Sequence, residues 1–303
     1  MPSVRYVTAD VFTDRRFGGN QLAVFPDARG IPGEAMLDIT REFNYSETTF
    51  VLPPDDPRHT RRVRIFTPER EMPFAGHPTV GTAHVLAHIG EIALDGDTTR
   101  IVFEEGVGPV QVVIRASRGK PAFAQLAVAK LPETGPTPPS RAALAEVLSL
   151  APDDILENKY IPEAVSCGLP FLFVPLVDRG AVARARVRLD VWERVLRDYW
   201  THELFVFAFD PERAGSDVRA RMFAPGLNVL EDPATGSACA ALGGYLGARD
   251  PRADGTLRWV VEQGFEMGRP SILEIETDKA AGAITGVRVG GSSVVVCDGM
   301  MEI

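Results

Sequence analysis

The sequence predicts an α+β protein made of two similarly folded halves, each richer in strand than in helix. Three observations lead to this prediction. The chain has 303 residues. A single hydrophobic core seldom supports a chain of this length, so two domains are expected. Segments with strand-like patterns outnumber segments with helical periodicity. Short blocks of sequence also recur in the same order in the two halves.

The first half combines strands with two helices. A strand is expected at 3–11, and the glycine turn Gly18-Gly19-Asn20 leads into a second strand at 21–25. Apolar residues recur with helical spacing over 34–43. The remaining predicted elements are strands at 48–52, 62–66, 100–104 and 110–115 and a helix at about 78–89.

The second half has the same character. Strands are expected at 122–128, 164–167, 171–176, 204–209, 219–223, 257–263, 271–276, 286–289 and 293–297. Helices are expected at 140–148, 190–197 and 233–246. We place the domain boundary near 116–120, which gives an N-terminal domain of 1–118 and a C-terminal domain of 119–294, and we expect 295–303 to return to the first domain. The proline-rich segment 131–140 is interpreted as a surface loop in preference to an interdomain linker.

An imperfect internal repeat supports the two-half prediction. Arg64-Ile65-Phe66-Thr67-Pro68 is echoed by Arg221-Met222-Phe223-Ala224-Pro225. Further along, His77-Pro78-Thr79-Val80-Gly81-Thr82-Ala83 lines up with Asp232-Pro233-Ala234-Thr235-Gly236-Ser237-Ala238. Two aligned blocks in one order are hard to ascribe to chance. They predict two similar halves that face each other across a cleft.

The second pair of blocks has the composition of helix starts. Proline fits a first helical turn, because the N–H that it lacks would have no intrahelical acceptor there. Each start exposes backbone N–H groups and the positive end of a helix dipole, which favour a bound anion. His77 and Asp232 are then either N-caps or site residues. Aspartate is a common cap and histidine is not, which favours a site role for His77.

Composition argues against several classes of function. The formal net charge is −9 and the pI is near 5.2, so we expect no nucleic-acid partner, which would need a basic surface. Residues 1–6 lack the features of a secretory signal, and no stretch has the length of a membrane span. We expect no membrane association and a cytoplasmic location.

Cysteines and histidines give no metal or disulfide signature. Cys167, Cys239 and Cys297 are widely spaced and odd in number, which fits a reducing compartment. His84 and His88 stand four residues apart with no carboxylate between them, so a position on a helix face is favoured over a zinc site. We expect no metal.

Two enzyme classes lack their sequence signals. No GxGxxG motif follows a strand to open a helix, as a dinucleotide-binding fold requires. Ser237 does not lie in the GxSxG turn of a serine hydrolase.

Four ordered blocks resemble the PhzF-like (phenazine biosynthesis protein F) family. They run from near the start of the chain into its last quarter, so the resemblance covers the whole chain. The blocks are Asp10-Val11-Phe12-Thr13 with Phe17-Gly18-Gly19-Asn20-Gln21-Leu22-Ala23-Val24-Phe25, Asn44-Tyr45-Ser46-Glu47-Thr48-Thr49-Phe50-Val51, Phe74-Ala75-Gly76-His77-Pro78-Thr79-Val80-Gly81-Thr82-Ala83, and Glu231-Asp232-Pro233-Ala234-Thr235-Gly236-Ser237-Ala238.

The resemblance implies a diaminopimelate-epimerase-like fold, in which two pseudo-symmetric domains each wrap β-sheet around a central helix. It further implies a homodimer, no cofactor, a small-molecule carboxylate substrate and an active site between the domains. Glu47 would be the acid/base that moves a proton between two carbons of the substrate. The other implied catalytic residues are His77 and Asp232, and the implied substrate-binding residues are Asn20, Gly76, Gly236 and Ser237.

The chain departs from the family pattern at two positions. Gln21 stands where the family usually has proline, and Tyr45 stands where the family often has leucine. These departures affect the expected shape of the substrate more than the chemistry. Related epimerases carry a cysteine at each helix start. This chain has Gly76-His77 and Gly236-Ser237 there, so a two-thiol mechanism is disfavoured.

Two alternatives stay open at this stage. One is an epimerase or racemase that acts on an amino-acid-like substrate. The other is a non-catalytic protein that binds small carboxylates with the same two helix starts and has no need of Glu47.

Overall fold

The computed structural model describes residues 3–227 and 229–303. The chain divides into two compact units. The first comprises the described residues through Ala129 together with Val289–Ile303, and the second comprises Lys130–Arg288. The division therefore falls later than the predicted break after residue 118. The reason is that strand 120–127 pairs with strand 108–117 of the first unit, and the boundary lies where the proline-rich segment begins.

The first unit is built on one run of paired strands in the order β18–β1–β2–β3–β4–β6–β7–β8. Its elements are β1 Ser3–Val11, β2 Asn20–Phe25, α1 Gly33–Phe43, β3 Glu47–Leu52, β4 Arg61–Phe66, β5 Glu71–Met72, α2 Gly76–His88, β6 Thr98–Glu105, β7 Gly108–Ser117 and β8 Lys120–Ala127. The last strand, β18, is Ser293–Glu302.

The second unit repeats the scheme in the order β9–β10–β11–β12–β13–β15–β16. Its elements are β9 Glu133–Thr134, α3 Arg141–Leu148, β10 Glu163–Ser166, β11 Pro170–Pro175, α4 Arg179–Arg184, α5 Leu189–Leu196, β12 Leu204–Ala208, β13 Val218–Ala224, β14 Val229–Asp232, α6 Gly236–Arg249, β15 Gly255–Gln263 and β16 Ser271–Ala280. The unit boundary falls within β17, Ala283–Gly291.

Strand sense agrees between the units. The pairs β2–β3, β3–β4, β4–β6 and β6–β7 are parallel, antiparallel, parallel and antiparallel. The pairs β11–β12, β12–β13, β13–β15 and β15–β16 have the same senses in the same order. The predicted repeat is thus a repeat of topology as well as of sequence.

Each unit encloses one helix. In α2 every residue from Gly76 to Ala87 is buried, and α6 is buried along most of its length. A helix that is apolar on all sides needs cover on all sides, and strands of the same unit supply it. Small residues let the strands approach closely. A Cβ on Gly81 would lie 2.5 Å from Val11 Cγ2 and 2.6 Å from Leu22 Cδ2.

Further helices cover the opposite faces of the sheets. In the first unit α1 packs against a cluster that contains Phe25, Phe50 and Phe66, with the rings of Phe25 and Phe50 stacked at 4.9 Å. In the second unit α3, α4 and α5 pack against β11 and β12. The fold is the predicted α+β arrangement of sheets wrapped around central helices.

Equivalent side-chain contacts fix the register of the repeat. Arg64 donates to both carboxylate oxygens of Glu71 at 2.7 and 2.6 Å and lies over the Phe66 ring. Arg221 does the same with Glu231, at 2.7 and 2.8 Å, and with Phe223. Glu71 is therefore equivalent to Glu231.

Counted from this anchor, Gly76 is equivalent to Gly236 and His77 to Ser237. The predicted equivalence of His77 with Asp232 is wrong. The connection from Arg221 to Glu231 is longer than that from Arg64 to Glu71, so the matching prolines and glycines of the two sequence blocks are out of register.

The predicted elements are present, with shifted ends. The largest shift is at β18, which continues to Glu302 instead of ending at residue 297. The helix α6 begins at Gly236 instead of residue 233, because Asp232 ends β14 and the chain turns before the helix. Four short elements were not predicted: β5, β14, α4 and β9, the last of which lies in the segment interpreted as a surface loop. Among the described residues, no helix combines the length and apolar character that a membrane crossing requires.

Candidate active site

Glu47 is the first residue of β3, at an end where two parallel strands begin side by side. It lies in register with Leu22 of β2, whose first residue is Asn20. Parallel strands start at the same edge of a sheet, so Asn20 and Glu47 lie near each other despite their separation in sequence. The Glu47 side chain is mostly buried, with 18% exposed.

The start of α2 brings His77 to the same edge. His77 is 4% exposed. Its Nδ1 lies 3.3 Å from Asn20 Nδ2 and 3.6 Å from Glu47 Oε2, and its Nε2 lies 3.3 Å from Gln21 O. Ser46 donates from Oγ to Asn20 Oδ1 at 3.1 Å. Three of the predicted site residues, Asn20, Glu47 and His77, therefore meet in the first unit.

These contacts fix the protonation state of His77. Because Asn20 Oδ1 accepts from Ser46, the Asn20 amide group faces His77 and donates to Nδ1. The backbone oxygen of Gln21 can only accept, so the ring proton is on Nε2. Burial lowers the pKa of His77 to about 3, against a smaller opposite effect of the Gln21 hydrogen bond. The pair His77–Glu47 is therefore a contact of a neutral imidazole with a carboxyl group and not an ion pair.

The helix α2 begins without a capping side chain. Its N-cap residue is Ala75, and Gly76 and His77 are the first two helical residues. His77 is thus not an N-cap. A helix start without a side-chain acceptor retains backbone N–H groups that can bind an anion.

The second unit carries a corresponding start. The N-cap of α6 is Thr235, whose side chain also makes no capping hydrogen bond, and Gly236 and Ser237 follow it. Asp232, which is 9% exposed, accepts from Thr235 Oγ1 at 2.5 Å. Asp232 is not an N-cap either, since it ends β14.

Gln263 orders this part of the second unit. Its Nε2 donates to Asp232 O at 2.7 Å and to Thr235 Oγ1 at 3.0 Å, and its Oε1 accepts from Thr235 N at 3.1 Å. With its single proton given to Asp232, the Thr235 hydroxyl is satisfied as donor and acceptor. Gln263 and Thr235 were not among the predicted site residues. One sequence signal could have identified Gln263. A polar residue precedes a glycine at the equivalent place in both halves, as Glu105-Gly106 and as Gln263-Gly264.

The thiol and the histidine pair lie in the bodies of the central helices. Cys239 is fully buried, and burial, followed by the charge of Asp232, raises the pKa of its thiol. In the corrected register it is equivalent to Thr79. His84 and His88 stack at 6.2 Å on α2. Among residues 3–227 and 229–303, no group of three or more His, Cys, Asp or Glu side chains could hold a metal ion.

Comparison with known proteins adds independent information. The family model described as phenazine biosynthesis-like protein matches residues 9–299. The chain is 40% identical over 306 residues to an isomerase of Mesorhizobium japonicum, with full coverage of both chains. It is 33% identical over 296 residues to the trans-2,3-dihydro-3-hydroxyanthranilate isomerase of Pseudomonas aeruginosa, covering 97% of this chain and 98% of that one. A solved structure of a PhzF-family protein from Bacillus anthracis superposes with a TM-score of 0.88 at 23% identity, covering 100% of both chains, and supports the fold.

Proposed function

The chain belongs to the phenazine biosynthesis-like family and is an isomerase, and from this premise we propose that it moves a proton between two carbons of a small unsaturated carboxylate, with Glu47 as the acid/base. The observation that carries the proposal is the position of Glu47. Glu47 Oε2 lies 3.6 Å from Nδ1 of His77, which belongs to the first turn of α2. This helix start would favour a bound anion, so Glu47 lies beside the expected position of the substrate carboxylate.

The proposed reaction needs one carboxyl group that acts twice. The Glu47 carboxylate removes a proton from an acidic carbon of the substrate, and the electron pair of that C–H bond shifts into the conjugated system. Protonated Glu47 then returns the proton to a second carbon, and the double bond moves accordingly. Atoms and charge balance without a further reactant, so the reaction requires no cofactor.

His77 would assist as a neutral group. A cation beside Glu47 would stabilise the carboxylate and make it a poorer base. A neutral imidazole fixed by Asn20 and Gln21 keeps its orientation without this penalty.

The two helix starts would hold the carboxylate of the substrate. We propose that Gly76 and His77 in the first unit and Gly236 and Ser237 in the second together form this cradle, with Asp232 and Asn20 contacting polar groups of the substrate. Developing negative charge on the substrate would be stabilised by fixed N–H dipoles. The cleft between the units in which this happens is part of the proposal, as is a cytoplasmic homodimer as the working form.

The first test follows the proton. Purified protein is incubated in D₂O with trans-2,3-dihydro-3-hydroxyanthranilate, and the ring protons are followed by NMR. We expect isomerisation with deuterium at a ring carbon for the wild type, and none for Glu47→Gln. The matched control is Glu42→Gln, which removes an exposed carboxylate of α1 and should leave the rate unchanged.

Binding and turnover are separated by calorimetry on the same variants. Glu47→Gln should bind the carboxylate substrate with a Kd within about threefold of the wild-type value. The glutamine side chain keeps the shape of the glutamate and loses only its negative charge and its ability to take up a proton. Full turnover in Glu47→Gln would contradict the assignment of the base. Binding without any proton exchange in the wild type would favour a non-catalytic carboxylate-binding protein.

A further inference from the structure

Glu105 is a buried acid beside the start of α2 that the proposed reaction does not use. It ends β6 and is 8% exposed. Its Oε1 lies 2.7 Å from Thr79 Oγ1, and Thr79 belongs to the first turn of α2 and is fully buried. Its Oε2 is buried without a hydrogen-bond partner among the described residues. A buried carboxylate oxygen in this state would carry a large desolvation cost.

Counting protons shows that Glu105 is the donor to Thr79. The Thr79 hydroxyl lies 2.8 Å from Ala75 O and 2.7 Å from Glu105 Oε1, but it has only one proton. The carbonyl of Ala75 can only accept, and a threonine hydroxyl inside a helix commonly donates to the carbonyl four residues earlier. The second short contact then requires a proton on Glu105, which donates it to Thr79 Oγ1.

The electrostatic surroundings agree with a neutral acid. Burial raises the pKa of Glu105 to about 8. On α2, His77 and His84 are both neutral at pH 7, since burial lowers their pKa values to about 3 and about 4. The adjacent Glu104 is engaged elsewhere: its carboxylate accepts from the backbone of Asp55 and Asp56 and contacts His59.

The same position in the second unit holds a neutral amide. Glu104 and Glu262 each accept two backbone N–H groups of an equivalent loop, which makes the next residues, Glu105 and Gln263, equivalent. The glycines that follow pack in the same way, since a Cβ on either would lie within 3.0 Å of the Cα of Pro73 or Pro233. Gln263 holds the start of α6 through its hydrogen bonds to Asp232 and Thr235, and its side chain is a neutral amide.

We propose that Glu105 is a positioning residue that holds the first turn of α2 as a neutral acid, and that its ionisation at alkaline pH releases this turn and with it His77. The effect on catalysis rests on the proposed function, because it acts through the contact of His77 with Glu47. The effect on the helix start does not, and it can be measured without substrate.

The substrate-free test is NMR of the backbone amides of His77 and Thr79 between pH 6 and 10. The wild type should show a transition with a midpoint near 8, the value to which burial raises the pKa of Glu105. Glu105→Gln should abolish the transition and keep the low-pH spectrum, because a glutamine can donate from Nε2 to Thr79 at every pH. An identical alkaline transition in the wild type and in Glu105→Gln would overturn the proposal, and so would the absence of any transition in the wild type.

The kinetic test asks whether positioning matters for turnover. Glu105→Gln should keep kcat within about twofold at pH 7 and lose the alkaline decline of the wild type. Glu105→Leu, which removes the donor, should lower kcat about tenfold or more with less effect on KM, as expected for a misplaced catalytic group. Wild-type kcat in Glu105→Leu would overturn the catalytic part. If no substrate turns over, the proposed function fails, while the NMR transition still decides the role of Glu105 at the helix start.

Discussion

His77 Nδ1 lies 3.6 Å from Glu47 Oε2, and the imidazole in this contact is neutral. Proximity alone would suggest an ion pair, but full burial outweighs the attraction of one partly exposed carboxyl group. In the proposed reaction, a neutral His77 would let the proton taken from the substrate stay on Glu47 until it is returned to the substrate.

The neutral state of His77 predicts how its ring and the stability of the protein respond to acid. With a folded-state pKa of about 3, His77 should keep the Nε2–H tautomer from pH 8 to pH 5, which ¹⁵N NMR of the ring detects. Since the unfolded chain protonates His77 near pH 6.5, the free energy of unfolding should fall as the pH falls from 6.5 towards 3.

The neutral amide His77→Gln removes this titration and serves as the comparison. The slope of unfolding free energy against pH should be smaller in His77→Gln than in the wild type between pH 4 and 6. His84 contributes a slope of the same sign in both proteins, because burial lowers its pKa to about 4. A ring that titrates near pH 6.5 in the folded wild type would contradict the assignment.

The sequence allowed the architecture to be predicted further than the site. Strand and helix periods are local, so most elements could be located, and the recurrence of Arg64 and Phe66 as Arg221 and Phe223 is a true repeat. The second pair of blocks was aligned in the wrong register. Matching Pro, Gly and Ala residues specify an alignment less firmly than the Arg64–Glu71 and Arg221–Glu231 ion pairs, which fix the true register. The contact of Asn20 with His77 depends on strand pairing and helix placement, which sequence spacing does not specify.

Hydrogen-bond partners were the least predictable part of the site. Thr235 and Gln263 lie far apart in the chain, and only the folded second unit shows that they share Asp232. From the sequence, Glu105 would be expected to be a solvent-exposed residue at the end of a strand, since glutamates are seldom buried. The next residue, Gly106, packs closely on Pro73, a tertiary contact that no local pattern indicates.

Cys239 provides the test between the proposed isomerase and a thiol-dependent epimerase. The thiol is fully buried in α6, and its raised pKa makes the nucleophilic thiolate scarce. We expect Cys239→Ala to keep at least about half of the wild-type kcat, with a stability loss of the size of a small buried truncation, about 1 kcal/mol. Calorimetric unfolding and the D₂O exchange assay measure the two effects separately. A loss of exchange beyond tenfold in a folded Cys239→Ala protein would favour the epimerase.

Two glycine-to-alanine changes should have opposite effects on stability, because one glycine is packed against strands and the other is not. In Gly81→Ala the new Cβ would meet Val11 and Leu22, both fully buried, at 2.5 and 2.6 Å. The clash should outweigh the gain in helix propensity and lower the free energy of unfolding by about 1–3 kcal/mol. In Gly33→Ala, at the start of α1, the nearest atom is Arg64 Nη1 at 3.4 Å, an ordinary van der Waals contact, and the free energy of unfolding should rise by about 0.4–1 kcal/mol. Chemical denaturation measures both. Equal and stabilising effects would mean that the strands around α2 yield to a methyl group, and the close packing of the central helix would then not be what requires glycine at position 81.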